Sequence, residues 1–352
     1  MFKRILVPLD GSTRAELALP VAARIARASG GTIDLLRVVP PPIDYGMYMA
    51  QPEAMIDKEI DAAIATATEY LEAAAKFEVL EGIGTKIEAL SGAVAQTLLS
   101  YVESYKSDLI VMCSHGYSGL KRWMLGSIAD KVTRLAPVPV LVLREQRPAL
   151  AIAQSEESRS VRALLALDGS PLAEAALEPT IQLVAALAAP AHGSLHLMRV
   201  VDVPMMEGKW KSQANSAMAS IEKAKEEAAL YLMSVISTLQ RGSGAEAQVK
   251  FTASVVTDID VAGAIIKEAE NTGNSSAQGT DGYSFIAMST HGRGGVERWI
   301  TGSITERTLH STQLPLLIVR PQQGAKKAHK KAKKDEDVGV ERVELQTWSG
   351  LL

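Results

Sequence analysis

A chain of 352 residues is long for one domain and natural for two with an appendage. Its apolar content of 47 % suits packed cores, and with aromatics at only 5 % that content rests on Ala, Leu, Val and Ile, which favours helices on parallel strands over an all-β sandwich. The net charge of −3 argues against a wholesale polyanion binder, and the single cysteine, Cys113, excludes an intrachain disulfide and points to a reducing compartment.

Basic Lys3 and Arg4 precede only a short apolar run, Ile5 to Leu9, so the N-terminus does not read as a signal peptide. No apolar run approaches the ~18 residues needed to span a bilayer. A cytoplasmic location is the expectation. Ile5–Leu9, bounded by charge and glycine, predicts a buried parallel strand. Thr13 with Glu16 has capping-box spacing and predicts the start of a helix. Thr32–Val39 predicts a second strand, ended by Pro40-Pro41-Pro42. The segment 43–56, with Tyr45, Met47, Tyr48, Met49 and Met55, is apolar without a clean period and stays open between a flap and an interaction surface. An Ala- and Glu-rich helix is expected over 53–76, a strand over Thr85–Leu90 and a helix over Val94–Tyr105. A strand over Leu109–Cys113, a helix over Ile128–Leu135 and a last strand over Val138–Leu143 complete the set.

The chain then repeats itself. Arg4-Ile-Leu-Val-Pro-Leu-Asp-Gly-Ser12 recurs as Arg162-Ala-Leu-Leu-Ala-Leu-Asp-Gly-Ser170, where Ser170 before Pro171 again predicts a helix start. Leu35-Leu-Arg-Val-Val39 recurs as Leu197-Met-Arg-Val-Val201, and Arg122-Trp-Met-Leu-Gly-Ser127 as Arg298-Trp-Ile-Thr-Gly-Ser303. Pro137–Arg144 recurs as Gln313–Arg320. The offset grows along the chain, so the second half carries insertions, the larger in the Gly-, Ser- and Asn-rich stretch Asn271–Gly282. These limits divide the chain into a domain over 1–145, a linker over 146–160, a second domain over 161–321 and a Lys-rich tail over 322–352. The expected fold class is α/β: two tandem doubly wound, Rossmann-like domains, each with a mostly parallel five-stranded sheet.

Ligands of such sheets bind beyond the carboxyl ends of strands, where strand order reverses. Asp10 and Asp168 follow the first strand of each repeat, and His115-Gly116 and His291-Gly292 follow the fourth. Gly116 is followed after nine residues by Gly126-Ser127, and Gly292 after nine residues by Gly302-Ser303. Gly119 lies inside the first loop, and Gly294 and Gly295 inside the second. Glycines let backbone amides approach an anion, and a Gly-Ser helix start offers free amides, a positive dipole end and a hydroxyl donor.

This pattern resembles the universal stress protein family, whose nucleotide loop reads Gly-x2-Gly-x9-Gly-(Ser/Thr). The resemblance covers residues 1–145 and 160–321, twice over. It implies an ATP site, with or without Mg²⁺, in each half. Asp10 and the backbone of Val38 would lie near adenine and ribose, and Gly116, Gly126 and Ser127 would hold phosphate. The matching positions are Asp168, Val200, Gly292, Gly302 and Ser303. Cys113 and Ser289 stand where the family pattern has its first glycine, both small enough for a close backbone approach. The family's habit of pairing through last strands implies an intrachain pseudo-dimer between Val138–Leu143 and Leu316–Val319, or a homodimer through the same strands.

Plainer roles compete. Asp10 and Asp168 fit either a ligand contact or a helix cap. His115 and His291 have no evident nucleophile or third partner and read as loop-shaping residues. Cys113 reads as a small core residue, Trp123 and Trp299 as packing residues, and Arg293 as either a phosphate contact or an exposed side chain. Lys326, Lys327, Lys330, Lys331, Lys333 and Lys334 lie in the tail and offer the one plausible nucleic-acid or lipid contact; the default is a solvated extension. The apolar Val343, Leu345, Trp348, Leu351 and Leu352 suggest docking on a partner. There is no P-loop, no Ser-Gly-Gly adenylating loop and no placed carboxylate pair. The reading is therefore a nucleotide-responsive regulator of stress response with an unknown protein partner, retaining at most slow ATP hydrolysis; the alternative is a tandem scaffold that binds no nucleotide.

Overall fold

The computed structural model describes residues 1–41, 53–114, 125–144, 161–203, 210–242, 244, 247, 249–271, 282–292 and 302–321. The first half runs β1 (Arg4–Pro8), α1 (Thr13–Glu16), α2 (Ala18–Ser29), β2 (Thr32–Val39), α3 (Glu53–Ala74), β3 (Thr85–Ser91), α4 (Val94–Tyr105), β4 (Leu109–Cys113), α5 (Ser127–Leu135) and β5 (Val140–Leu143). The second runs β6 (Arg162–Ala166), α6 (Pro171–Glu174), α7 (Leu177–Ala188), β7 (Ser194–Asp202), α8 (Trp210–Arg241), β8 (Lys250–Asp258), α9 (Val261–Asn271), β9 (Phe285–Ser289), α10 (Ser303–Ser311) and β10 (Leu316–Val319).

The strands form one 10-stranded sheet in the order β3-β2-β1-β4-β5-β10-β9-β6-β7-β8. Within each half every pairing is parallel. The halves meet through β5 and β10, which pair antiparallel with Leu317 opposite Leu141. The intrachain pseudo-dimer is therefore present. Because β5 is already flanked by β4 and β10, and β10 by β5 and β9, a homodimer through these same strands has no free ladder edge to use.

Both faces of the sheet are covered, which explains the near-continuous apolar strands. Alternate residues of a strand point to opposite faces, so the strands divide between two cores. Ile5, Val7, Ile33, Leu35, Val111, Leu141 and Leu317 join one core with residues of α2 and α7, and those two helices pack on each other across the halves. Leu6, Leu36, Ile110, Val140, Val142, Leu316 and Ile318 join the other core with residues of α4, α5, α9 and α10. Each core thus runs through both halves.

Local chemistry corrects two expectations. The first helix is capped by Ser12, whose Oγ accepts from the Ala15 amide at 3.2 Å, and not by Thr13. Ser170 does the same with the Ala173 amide, with Pro171 at the first helical position as expected. The last strand of the first half starts at Val140 rather than Val138, because Pro139 has no N–H to give to a ladder; its carbonyl still accepts from Ile110 at 3.0 Å. Among the described residues no helix is long and apolar enough to cross a membrane.

Candidate nucleotide site

In the first half the chain leaves β1 toward β2 on one side and returns to β4 on the other, so the crevice opens between the carboxyl ends of β1 and β4. The corresponding crevice of the second half lies between β6 and β9. Asp10 and Asp168 stand at these ends, one residue past the last sheet bonds, Leu9 N–H to the Leu36 carbonyl at 2.8 Å and Leu167 N–H to the Met198 carbonyl at 2.9 Å.

Asp10 Oδ1 accepts from the Ser12 amide at 3.0 Å and from the Ser12 hydroxyl at 2.6 Å; Asp168 Oδ1 accepts from the Ser170 amide at 2.8 Å. Each aspartate therefore stabilises its own turn, while the adjacent serine caps the helix. The turn passes through Gly11 at φ +89° and Gly169 at φ +84°, where a side chain would be strained. The other Asp168 oxygen lies so close to Gly292 that a Cβ there would collide with it. Gly292 is thus the residue that lets the loop after β9 meet the aspartate after β6.

Val38 and Val200 present backbone to the same crevices. Along a strand, successive residues direct their N–H and C=O groups to alternate sides. Leu36 faces β1, accepting from Leu9, and Val39 faces β3, accepting from Gly92 at 3.0 Å. Val38 therefore faces the β1 side, beyond the end of β1. Met198 faces β6 and Val203 bonds on the β8 side at 3.4 Å, which places Val200 in the same way.

The third wall is a helix start. Gly126 precedes α5 without a side-chain cap and donates to the Ser114 carbonyl at 2.8 Å; Gly302 precedes α10 in the same way and donates to the Thr290 carbonyl at 2.7 Å. Ser114 and Thr290 are themselves held by the last strands, donating to the Leu143 carbonyl at 2.9 Å and the Val319 carbonyl at 2.8 Å. Ser127 and Ser303 are exposed at the helix start. The first amides of a helix have no partner within it, so two amide-rich, dipole-positive ends face the two crevices. Acidic residues of the first turn point elsewhere: Asp130 accepts from Arg134 Nε at 3.0 Å, and Glu306 from Arg134 Nη2 at 3.0 Å.

The two residues that replace a family glycine differ. Cys113 is half-buried at the end of β4 and packs on the core. Ser289 is buried; its hydroxyl accepts from the His291 amide at 3.4 Å, and its carbonyl accepts from Thr305 Oγ1 at 2.8 Å. His291 Nδ1 lies 2.8 Å from Thr290 Oγ1, a contact that shapes the loop. Gly116, Gly119, Gly295, His115, Trp123, Arg293, Trp299 and the whole tail lie outside the described residues, as do residues 43–52 of the apolar segment.

Sequence reasoning missed a cluster beside each aspartate. Arg37 of β2 lies 4.9 Å over the ring of Tyr70 in α3, and Tyr70 donates to Glu16 of α1 at 2.9 Å. Arg199 lies 5.3 Å over Tyr231 of α8, which donates to Glu174 of α6 at 2.9 Å. The Arg37 guanidinium also covers Gly11, where a Cβ would meet it at 3.1 Å. Burial, followed by the glutamate, raises both tyrosine pKa values, so the hydroxyls remain donors. The arginines were visible in the repeated Leu-x-Arg-Val-Val segment, but the tyrosines sit in helices without a shared motif. Among the described residues no group of three or more His, Cys, Asp or Glu side chains is placed to hold a metal ion by itself.

The profile of the Universal stress protein family matches residues 1–144 and 161–320. The chain belongs to the universal stress protein family. A universal stress protein of Mycolicibacterium smegmatis is 25 % identical over 90 % of this chain and 97 % of its own length. The Bacillus subtilis universal stress protein YxiE is 30 % identical over 41 % of this chain and 100 % of its own, as a single-repeat relative would be. The crystal structure of a universal stress protein from Archaeoglobus fulgidus, 20 % identical, shares the fold with a TM-score of 0.55 over 90 % of this chain and 98 % of that one.

Proposed function

We propose that this tandem universal stress protein, with domains over 1–145 and 161–321, binds an adenine nucleotide in each half and acts as a nucleotide-responsive regulator in the cytoplasm. The observation that carries this reading is the paired geometry at the two crevices. In each, an aspartate, a valine backbone turned to the crevice side of its strand and a Gly-Ser helix start without a side-chain cap converge at the switch point of the sheet. The residues fit the group. Gly292 lets the loop backbone close on the Asp168 carboxylate, with which a Cβ would collide, and a Cβ on Gly302 would come within 3.3 Å of the Thr290 carbonyl. Asp10 and Val38, or Asp168 and Val200, would orient the base and ribose. Gly126 with Ser127, or Gly302 with Ser303, would donate to the phosphates. ATP, with or without Mg²⁺, would supply the charge that the helix ends attract. The change read by a protein partner would be the occupancy of the two sites.

Isothermal titration of ATP, with and without Mg²⁺, into nucleotide-stripped protein tests the proposal. Two sites per chain are expected, with Gly126→Asp abolishing the first and Gly302→Asp the second, because a carboxylate at the helix start repels phosphate. Absence of heat from a folded protein would refute it and leave the tandem-scaffold reading, which Cys113 and Ser289 at the first glycine position of the loop pattern favour.

A further inference from the structure

The two helices that begin at the phosphate end of each crevice finish against the opposite half. The last carbonyls of a helix have no partner within it. In α5 one of these, on Leu135, accepts from Arg320 Nη1 at 3.0 Å; Arg320 directly follows β10. In α10 the Leu309 carbonyl accepts from Arg144, which directly follows β5 and is buried. The exchange is reciprocal: each half's last strand supplies the arginine that holds the other half's helix. Arg134 of α5 also pairs with Glu306 of α10, and His310 of α10 lies 4.0 Å from Asp130 of α5.

These contacts close a circuit through both sites. Gly126 donates to Ser114, and Ser114 donates to Leu143, the residue before Arg144. Arg144 reaches the end of α10, whose start at Gly302 donates to Thr290; Thr290 donates to Val319, the residue before Arg320. Arg320 reaches the end of α5, and α5 leads back to Gly126. Each helix is 9 residues and is held at Leu135 in α5 and at Leu309 in α10, so roughly 10–13 Å of hydrogen-bonded rod separates its arginine from its phosphate end. A cation at the carboxyl end and an anion at the amino end both favour the same helix dipole.

We infer that Arg144 and Arg320 are positioning residues for the site of the opposite half, so that each site is complete only with the other half in place and occupancy of one alters the affinity of the other. The ligand rests on the nucleotide reading; the positioning does not. Hydrogen exchange on the full chain without nucleotide, in wild type, Arg320→Met and Arg320→Lys, tests the positioning alone. Arg320→Met is expected to raise exchange about tenfold or more at the Gly126 and Asp130 amides, the hydrogen-bonded amides at the end of α5 remote from the arginine, with Arg320→Lys restoring protection and α10 little changed. Arg144→Met should do the same to α10. Should Arg320→Met fail to fold, Arg320→Gln is read identically. Exchange confined to Val132–Leu135 would overturn the inference and reduce the arginine to an interface tie. Titration of ATP into Gly302→Asp, which isolates the first site, carries the positioning to the ligand, where adding Arg320→Met should weaken binding about fivefold or more; wild type tests the coupling, since filling its second site should shift the first-site affinity about fivefold or more from the Gly302→Asp value. An unchanged affinity would overturn coupling. If wild type binds no ATP, the nucleotide reading falls, and the exchange result still decides whether the arginines position the helix starts.

Discussion

Replacing His196 by glutamine should remove most of one acid-sensitive element of the fold. His196 of β7 is 6 % exposed, with Nδ1 2.8 Å from Thr252 Oγ1 and Nε2 2.8 Å from Ser254 Oγ on the neighbouring strand. Burial, reinforced by the charge of Arg162, lowers its pKa from 6.5 to about 4. Arg162 is held there by Tyr283, over whose ring it lies at 4.2 Å and to whose hydroxyl it donates at 3.0 Å. A folded-state pKa below the unfolded one means that the unfolded chain takes up the proton first. The stability contribution is therefore complete above pH 6.5 and is lost as pH falls toward 4. At about 1.4 kcal/mol per pKa unit, the whole loss amounts to about 3 kcal/mol. Urea unfolding of wild type and His196→Gln at pH 7.5 and pH 4.5 measures it as a difference of differences. Wild type should lose about 2–3 kcal/mol more than the variant over that interval. Asp34, at the matching place on β2, has a raised pKa through burial and the opposite dependence, but it is present in both proteins and cancels. Equal losses in the two proteins, or an imidazole titrating near pH 6.5 by NMR in the folded state, would refute the argument.

Other substitutions probe other links. Ser12→Ala should cost about 1 kcal/mol in urea unfolding and Thr13→Ala almost nothing, since Ser12 is the cap. Leu317→Ala, fully buried opposite Leu141 where the halves join, should cost about 2–5 kcal/mol and lower the unfolding midpoint of both halves together; separate transitions with only one displaced would contradict a shared core. Gly292→Ala should displace the Asp168 carboxylate and weaken ATP binding in the second half while leaving the first unaffected, as read in a Gly126→Asp background against a Gly302→Asp background.

Much of one repeat could be read from short segments. Thr32–Val39, Val94–Tyr105 and Leu109–Cys113 are found at the expected residues, because each is an apolar or periodic run bounded by its own turn chemistry. The Gly-Ser helix starts were legible for the same reason. Where the reading slipped, a single atom decided: the hydroxyl of Ser12 reaches the Ala15 amide, and Pro139 has no proton to give. The clusters of Arg37 with Tyr70 and of Arg199 with Tyr231 were not legible, since nothing in a helix's own sequence says which strand residue lies beneath it.

The sequence by itself determined that there are two copies of one α/β unit, where their strands and helices fall, and which glycines and aspartates end up at strand termini. Those are local consequences of periodicity, capping and turn formation. Only the tertiary structure decided how the copies are joined. The antiparallel match of β5 with β10, the approach of Asp168 to Gly292, and the reach of Arg144 and Arg320 into the opposite half depend on residues more than a hundred positions apart in the chain. Such contacts exist only once both cores have packed, because an arginine's reach is a few ångströms and its partner is placed by the whole sheet between them.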